Sequence, residues 1–277
     1  MGTRETIPVA VVNGTGYGGV ELLRLLQRHP TFELVEVTAR SEAGKPVSSI
    51  FPHLPDLTLT FSERIEHAEL VFVALPDHAA VDVIPGLLAE GRRVADLSAG
   101  FRLRDAALYP RWYGYEHPTP ALLEHATFGL AEFARETLPQ AQLVACPGCY
   151  VTTALLSLAP AFFRDLIEPD VIVDAKSGTS GAGRTLKLPF HFSEANEDVS
   201  AYGLNGHRHQ PEIAQELTRY AGASVRLAFT PHLVPMTRGI LATSYATLRP
   251  GVTAAQIADA YADTYADAPF VTVAGQP

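Results

Sequence analysis

The two cysteines of this 277-residue chain stand three apart, in "CPGCYVTT" at 146–153. Three chemistries fit such a pair: a redox couple, part of a metal site, or one nucleophile beside an inert neighbour. A metal site needs about four ligands, yet there is no third cysteine, and His207 and His209 are separated by a single residue. A thioredoxin-like couple would put an exposed attacking thiol at a helix start, whereas Cys146 follows the apolar run "QLVA". The third chemistry uses Cys149. Pro147-Gly148 turns the chain, and Cys149 opens a helix that continues through Leu155, Leu156 and Leu158. A helix N-terminus stabilises a thiolate and makes the cysteine a nucleophile. Its own backbone N–H could hold an oxyanion formed by attack. Cys146 is then a small buried filler.

Other polar residues of the second half fit around such a nucleophile. "GHRHQPEI" supplies His207, Arg208 and His209 just before a helix begun by Pro211, and a histidine titrating near pH 7 suits proton donation. "KSGTSGAGR" (176–184) offers many N–H donors, with Ser180 and the terminal Arg184, to a phosphate or a carboxylate. Arg238, after "PMT", is a further anion-binding candidate.

The first half carries a different motif. "NGTGYGG" (13–19) lies between an apolar strand, "IPVAVV" (7–12), and a helix, "GVELLRLLQRH" (19–29). Gly14, Thr15, Gly16, Tyr17 and Gly18 would let the backbone approach a pyrophosphate at the helix N-terminus. Asn13 stands where the common pattern has a glycine, and Asn tolerates positive φ better than most residues. After the second strand, "FELVEVTAR" (32–40), come Thr38, Arg40 and Ser41 rather than a carboxylate. A guanidinium and a hydroxyl suit a 2′-phosphate, so NADP is the expected cofactor.

These sites need elements to hold them. Strand-like runs at 68–75, 92–98 and 141–145, with a helix at 79–91, continue the alternation of a parallel α/β sheet. Beyond the cysteines come an apolar helix (153–163) and a strand (170–177). Two long strands follow, "VRLAFTPHLV" (225–234) and "RGILATSYATL" (238–248), expected to pair as an antiparallel hairpin. The fold class is therefore α/β, a Rossmann-type domain over 1–148 followed by an α+β domain over 149–277 with a mixed or antiparallel sheet.

Composition narrows the classes further. Twenty-one Lys plus Arg against 30 Asp plus Glu give a net charge of −9, which opposes general nucleic-acid binding. No run of 18 apolar residues spans a membrane. The N-terminus does not read as a signal peptide, nor does Gly2 open a lipidation motif, so a cytoplasmic protein is expected.

In order from residue 14 to residue 241, the chain carries "GTGYGGVELLRLL", "PHLPDL", "VFVALP", "DLSAGFRL", "FGLAEFARE", "CPGCYVTTALL", "KSGTSGAGR", "GHRHQPEI" and "MTRGIL". With these motifs it resembles the N-acetyl-γ-glutamyl-phosphate reductases of arginine biosynthesis, relatives of aspartate-semialdehyde dehydrogenase. The resemblance implies a Rossmann domain, a semialdehyde-dehydrogenase-like second domain, NADPH and a nucleophile at Cys149. It also implies His207 as acid/base with His209 behind it, a small acyl-phosphate substrate and a homo-oligomer, and it adds Pro76 to the cofactor set. The close alternatives are aminoadipyl or aspartyl phosphate. Asp77-His78 stands where the family has His-Gly, and Gly100 where it has Asp. Family members also continue beyond Pro277, which leaves a catalytically weak NADP-binding module as the reading from another class.

The cofactor assignment is testable at one side chain. Arg40→Asp should weaken NADP binding far more than NAD binding, read from dissociation constants for both nucleotides.

Overall fold

The computed structural model describes residues 6–275; the readings made on Gly2 and on the first few residues as a leader lie outside them. The chain divides into two compact units, Met1–Pro147 and Gly148–Pro277.

In the first unit the strands are β1 (Ile7–Val12), β2 (Phe32–Val37), β3 (Leu70–Val73), β4 (Arg93–Asp96), β5 (Thr127–Phe128) and β6 (Leu143–Ala145), with the longer helices α1 (Tyr17–Leu26) and α2 (Asp77–Ala89). They form one parallel sheet in the order β2-β1-β3-β4-β6-β5. The period-2 side-chain alternation of β1 feeds two cores. Val9 and Val11 pack with Val20, Leu23 and Phe61, while Ala10 and Val12 pack with Ile84, Leu103 and Tyr109. That double burial explains why the strand reads as unbroken apolar sequence. The strand order reverses between β1 and β3, so their carboxyl ends open a crevice where such sheets bind ligands.

The second unit comprises α3 (Cys149–Phe163), β7 (Ile167–Ser177), β8 (Ser200–Ala201), α4 (Gln210–Ala221), β9 (Arg226–Leu233), β10 (Ile240–Leu248) and α5 (Ala254–Tyr265). Its sheet runs β10-β7-β9-β8 and is mixed. The expected hairpin of 225–234 with 238–248 does not form. β9 pairs parallel with β7 and β10 pairs antiparallel with β7, so the two flank it. β7 is eleven residues long, with Val171, Val173 and Ala175 buried on one face, and both of its edges need partners to satisfy their backbone groups.

Helix α3 contains Pro160. Proline has no N–H, so the carbonyl four residues earlier, that of Leu156, lacks its helical donor. The Tyr265 hydroxyl of α5 donates to that carbonyl, and Tyr261 donates to the adjacent Ser157 carbonyl. A sequence defect in one helix thus becomes the docking point of another. Among the described residues no helix is long and apolar enough to cross a membrane. Tyr265→Phe should lower stability by about 1–2 kcal/mol, the cost of an orphaned buried acceptor, measured as a fall in denaturant midpoint at unchanged m-value.

Candidate active site

The crevice of the first unit is built by the loop after β1. Asn13 has φ 63°, the left-handed region, as its place in the motif requires. It does more than tolerate the turn. Its Nδ2 donates to the Ala74 carbonyl (2.8 Å) and its backbone N–H to Thr38 Oγ1 (3.3 Å), tying together the loops that follow β1, β2 and β3. The glycines divide into two kinds. A Cβ on Gly14 would lie 2.4 Å from Val37 Cγ2, and one on Gly19 would lie 2.6 Å from the Asn13 carbonyl; these two serve packing. Around Gly16 and Gly18 a Cβ would meet nothing within 4 Å, leaving open backbone beside the start of α1. That start has Gly16 as N-cap without any side-chain cap, so first-turn N–H groups remain to face an anion. Thr15 and Tyr17 flank Gly16, and Pro76 is the N-cap of α2 at the end of β3. Such a cradle fits the pyrophosphate of a dinucleotide.

Arg40 and Ser41 are both exposed just past β2. The nearby Glu42 carboxylate is paired with Lys45 Nζ at 2.7 Å, which reduces its repulsion of a 2′-phosphate. Glu36, within β2, is occupied by the N–H groups of Glu66, His67 and Ala68 at 2.8–3.2 Å. Gly100 sits where a Cβ would lie 2.8 Å from Val81 Cγ1 and 3.2 Å from Ser98 Oγ; in this chain the position is closed to a side chain. The carboxylate close by is Asp96. It is fully buried and accepts from the N–H and hydroxyl of Ser98, both at 2.8 Å, and burial pushes its pKa up to about 6.

The cysteines separate cleanly. Cys146 is part-buried, its N–H donates to the Asp96 carbonyl (2.8 Å), and burial, with the Asp96 charge, raises its thiol to about 11. It is a protonated thiol at neutral pH. Cys149 is exposed and is the first residue of α3. It lines a pocket of about 650 Å³ together with Tyr150, Tyr202, His207, Arg208 and His209, and with Lys187 and backbone at Gly178, Gly181 and Ala182.

His207 and His209 are therefore brought to the same pocket as Cys149. Ser180, Arg184 and Arg238 are not among its lining residues. The N–H groups of Gly178, Thr179 and Ser180 donate to the carbonyls of Gly239, Met236 and Thr237, each at 3.0 Å. A Cβ on Gly178 would lie 2.9 Å from three atoms of that same turn. These three N–H groups, among the donors that the sequence offered to a phosphate, stitch two loops together instead. The cations that do line the pocket are Arg208 and Lys187.

The ring of His207 is packed among those of Tyr150 (5.6 Å between centroids), Tyr202 (5.6 Å), Phe229 (5.5 Å) and His209 (4.8 Å). Burial, aided by the Arg208 charge, pushes its pKa down to about 4. The donor titrating near pH 7 expected from sequence is in fact a neutral imidazole. Its Nδ1 accepts the His209 N–H at 3.1 Å, so the proton sits on Nε2 and the ring is an N–H donor. The Tyr150 and Tyr202 hydroxyls are 2.8 Å apart, and burial raises both phenols. Among the described residues no group of three His, Cys, Asp or Glu side chains could hold a metal.

Known proteins match this chain along almost all of its length. Residues 8–141 match the model of the semialdehyde dehydrogenase NAD binding domain, and residues 149–277 that of the semialdehyde dehydrogenase dimerisation domain. An N-acetyl-gamma-glutamyl-phosphate reductase of Dehalococcoides mccartyi is 52% identical over 269 residues, covering 96% of this chain and 79% of its own. The chain belongs to the N-acetyl-γ-glutamyl-phosphate reductase family. Another reductase of that name, from Nitrosococcus oceani, is 48% identical over 274 residues, with 96% and 79% covered.

Solved structures share the fold of this family member. Aspartate semialdehyde dehydrogenase II from Vibrio cholerae superposes with a TM-score of 0.66 at 15% identity, over 92% of this chain and 78% of that one. Aspartate semialdehyde dehydrogenase with NADP from Candida albicans gives 0.68 at 14%, over 92% and 76%. Within this reductase-family chain, sequence reasoning passed over Tyr150, Lys187 and Tyr202. Tyr150 had a signal, its place directly after Cys149; the other two lie in a polar stretch with no periodicity.

The His207 environment sets a pH dependence. An unfolded histidine titrates near 6.5, and this one folds with a value about 4. Its contribution to stability is full above about 6.5 and is lost as pH falls toward 4, because the unfolded chain takes the proton first. Asp96, raised to about 6, acts with the opposite sign as pH falls from 6. His207→Gln should therefore lose less thermal stability than the parent between about pH 7 and about pH 4.5, compared as melting temperatures across that range.

Proposed function

We propose that this protein reduces N-acetyl-γ-glutamyl phosphate to N-acetylglutamate 5-semialdehyde with NADPH, releasing phosphate, as a step of arginine biosynthesis. The observation that carries the proposal is the exposed Cys149 at the start of α3, sharing one pocket with a neutral, proton-bearing His207. Relatives about half identical over nearly the whole chain bear the name of this reductase.

The Cys149 thiolate attacks the acyl carbon. The S–C bond forms, the C–O bond to phosphate breaks, and the single proton consumed overall ends on the phosphate. Positive potential at the α3 N-terminus favours the thiolate before attack and, through the Cys149 N–H, the oxyanion afterwards. His207 Nε2–H donates to that same oxygen; its low pKa keeps it a donor rather than a competing cation. The nicotinamide, when bound, supplies the hydride that takes the thioester to the aldehyde level. Cys149 then leaves as thiolate and the aldehyde is free. Arg208 and Lys187 oppose the negative charges of the substrate. Residues Gly14–Gly18 hold the pyrophosphate, Arg40 and Ser41 the 2′-phosphate, with Pro76 at the crevice edge, and 1–148 and 149–277 act as cofactor and substrate units.

The protein works as a homo-oligomer, and the family model over 149–277 is a dimerisation domain. The surface that fits is the outer face of the second sheet. Ile172 on β7 pairs in register with Tyr245 on β10, and with Leu241 they are exposed at 49%, 55% and 65%. A solvent-facing apolar patch of this kind marks a protein contact.

In an assay of NADPH oxidation with the acyl phosphate, Cys149→Ser should drop to background while Cys146→Ala keeps most of its rate. Iodoacetamide should modify Cys149 first, with acyl phosphate protecting it, read by peptide mass. A folded Cys146→Ala variant as inactive as Cys149→Ser would replace this mechanism with a two-cysteine one.

A further inference from the structure

Helix α3 has Gly148 as its N-cap, and a glycine has no side chain to cap it. In a capping box the residue at the third helical position sends a carboxylate back to the N–H of the cap residue. In α3 that position is Val151, which cannot accept. Across the core, α4 begins after His209, and its third residue is Glu212. Glu212 would ordinarily return to the His209 N–H. That N–H is already committed to His207 Nδ1 at 3.1 Å. The Glu212 side chain, fully buried, reaches instead to the neighbouring helix and accepts the buried Gly148 N–H at 3.0 Å. The N-cap and first turn of α4 thus hold the tautomer of one pocket residue and the helix start of another.

Resting on the reading of Cys149 as nucleophile, we infer that Glu212 is a positioning residue: its carboxylate supplies from α4 the missing cap of α3 and so fixes the Cys149 turn relative to the His207 turn. The carboxylate's reach matters more than its charge. Gly148 is the residue directly before the nucleophile, so a shift there is passed on to Sγ, and misplacement by about 1 Å can cost on the order of a hundredfold in rate. The same bond keeps a buried N–H satisfied at the start of α3.

Two substitutions separate reach from charge. Glu212→Asp keeps the charge but is one methylene short; Glu212→Gln keeps the length and an acceptor oxygen but loses the charge. Two quantities are measured: kcat and KM for NADPH-dependent acyl-phosphate reduction, and the pH dependence of Cys149 alkylation by iodoacetamide. For the Gln variant, kcat should stay within about threefold of the parent, and its alkylation curve should not move to higher pH. For the Asp variant, kcat should fall about 10–100-fold at little-changed KM, with alkylation shifted toward the pH range of an ordinary cysteine. A purely structural role would lower the melting temperature and leave the alkylation curve in place. The inference is overturned if the Asp variant matches the parent in both measurements, or if the Gln variant is as impaired as Asp. Should the Asp variant not fold, the Gln variant decides alone: parent-like behaviour supports the inference and an alkaline-shifted curve with reduced kcat refutes it. If the parent reduces no acyl phosphate yet the alkylation curves split as described, the positioning role stands and the proposed reaction falls.

Discussion

The hydrogen bond from the Gly148 N–H to the Glu212 carboxylate, 3.0 Å long and buried, is the constraint on which the candidate site rests. Gly148 has no side chain, so it leaves the helix without a cap of its own. A helix end buried without partners is costly, so the partner had to come from elsewhere in the fold. It comes from α4, the helix that the paired histidines lead into, with His209 as its N-cap. Packing α3 against α4, with Ile213 and Leu217 of α4 fully buried, therefore brings the Cys149 thiol and the His207 imidazole to one pocket.

Burial then decides the chemistry of each group. His207, walled by aromatic rings, stays neutral and gives an N–H donor. Cys146, a few residues from Cys149, is held as a thiol by burial and the Asp96 charge. The same element pair, cysteine and histidine, would read differently in open water. Loop backbone matters equally: the Gly178–Ser180 N–H groups bond to the 236–239 turn and so hold the loop whose Gly181 and Ala182 line the pocket.

The first unit shows a parallel division of labour among residues that look alike on paper. Gly14 and Gly19 are glycine because neighbouring atoms leave no space, while Gly16 and Gly18 leave backbone open beside a helix start. Asn13 combines a left-handed turn with a side-chain bond to the loop after β3, which a glycine could not make. A departure from the common motif thus adds a tie across the crevice.

Much of this was legible in the chain itself. Local patterns were enough for the parallel α/β half, because β1 and α1 are written in unbroken apolar and 3.6-period runs around a glycine loop. They were also enough for the start of α3 at Cys149, because a turn of Pro147-Gly148 before an apolar helix marks it. What tertiary structure alone decided was every relation between distant residues. Strands 225–234 and 238–248 looked like a hairpin, since a short turn joins them; β7, needing partners on both edges, separates them. The 176–184 loop looked open to an anion, since it is rich in N–H groups; those of Gly178, Thr179 and Ser180 are bonded some sixty residues away. Glu212 carried no signal in the sequence, since its partner, the Gly148 N–H, lies 64 residues away. Sequence fixes propensity, charge and spacing along the chain, whereas burial and long-range hydrogen-bond partners exist only once the chain has folded, and these set which groups are ionised, which are spent and which remain to act.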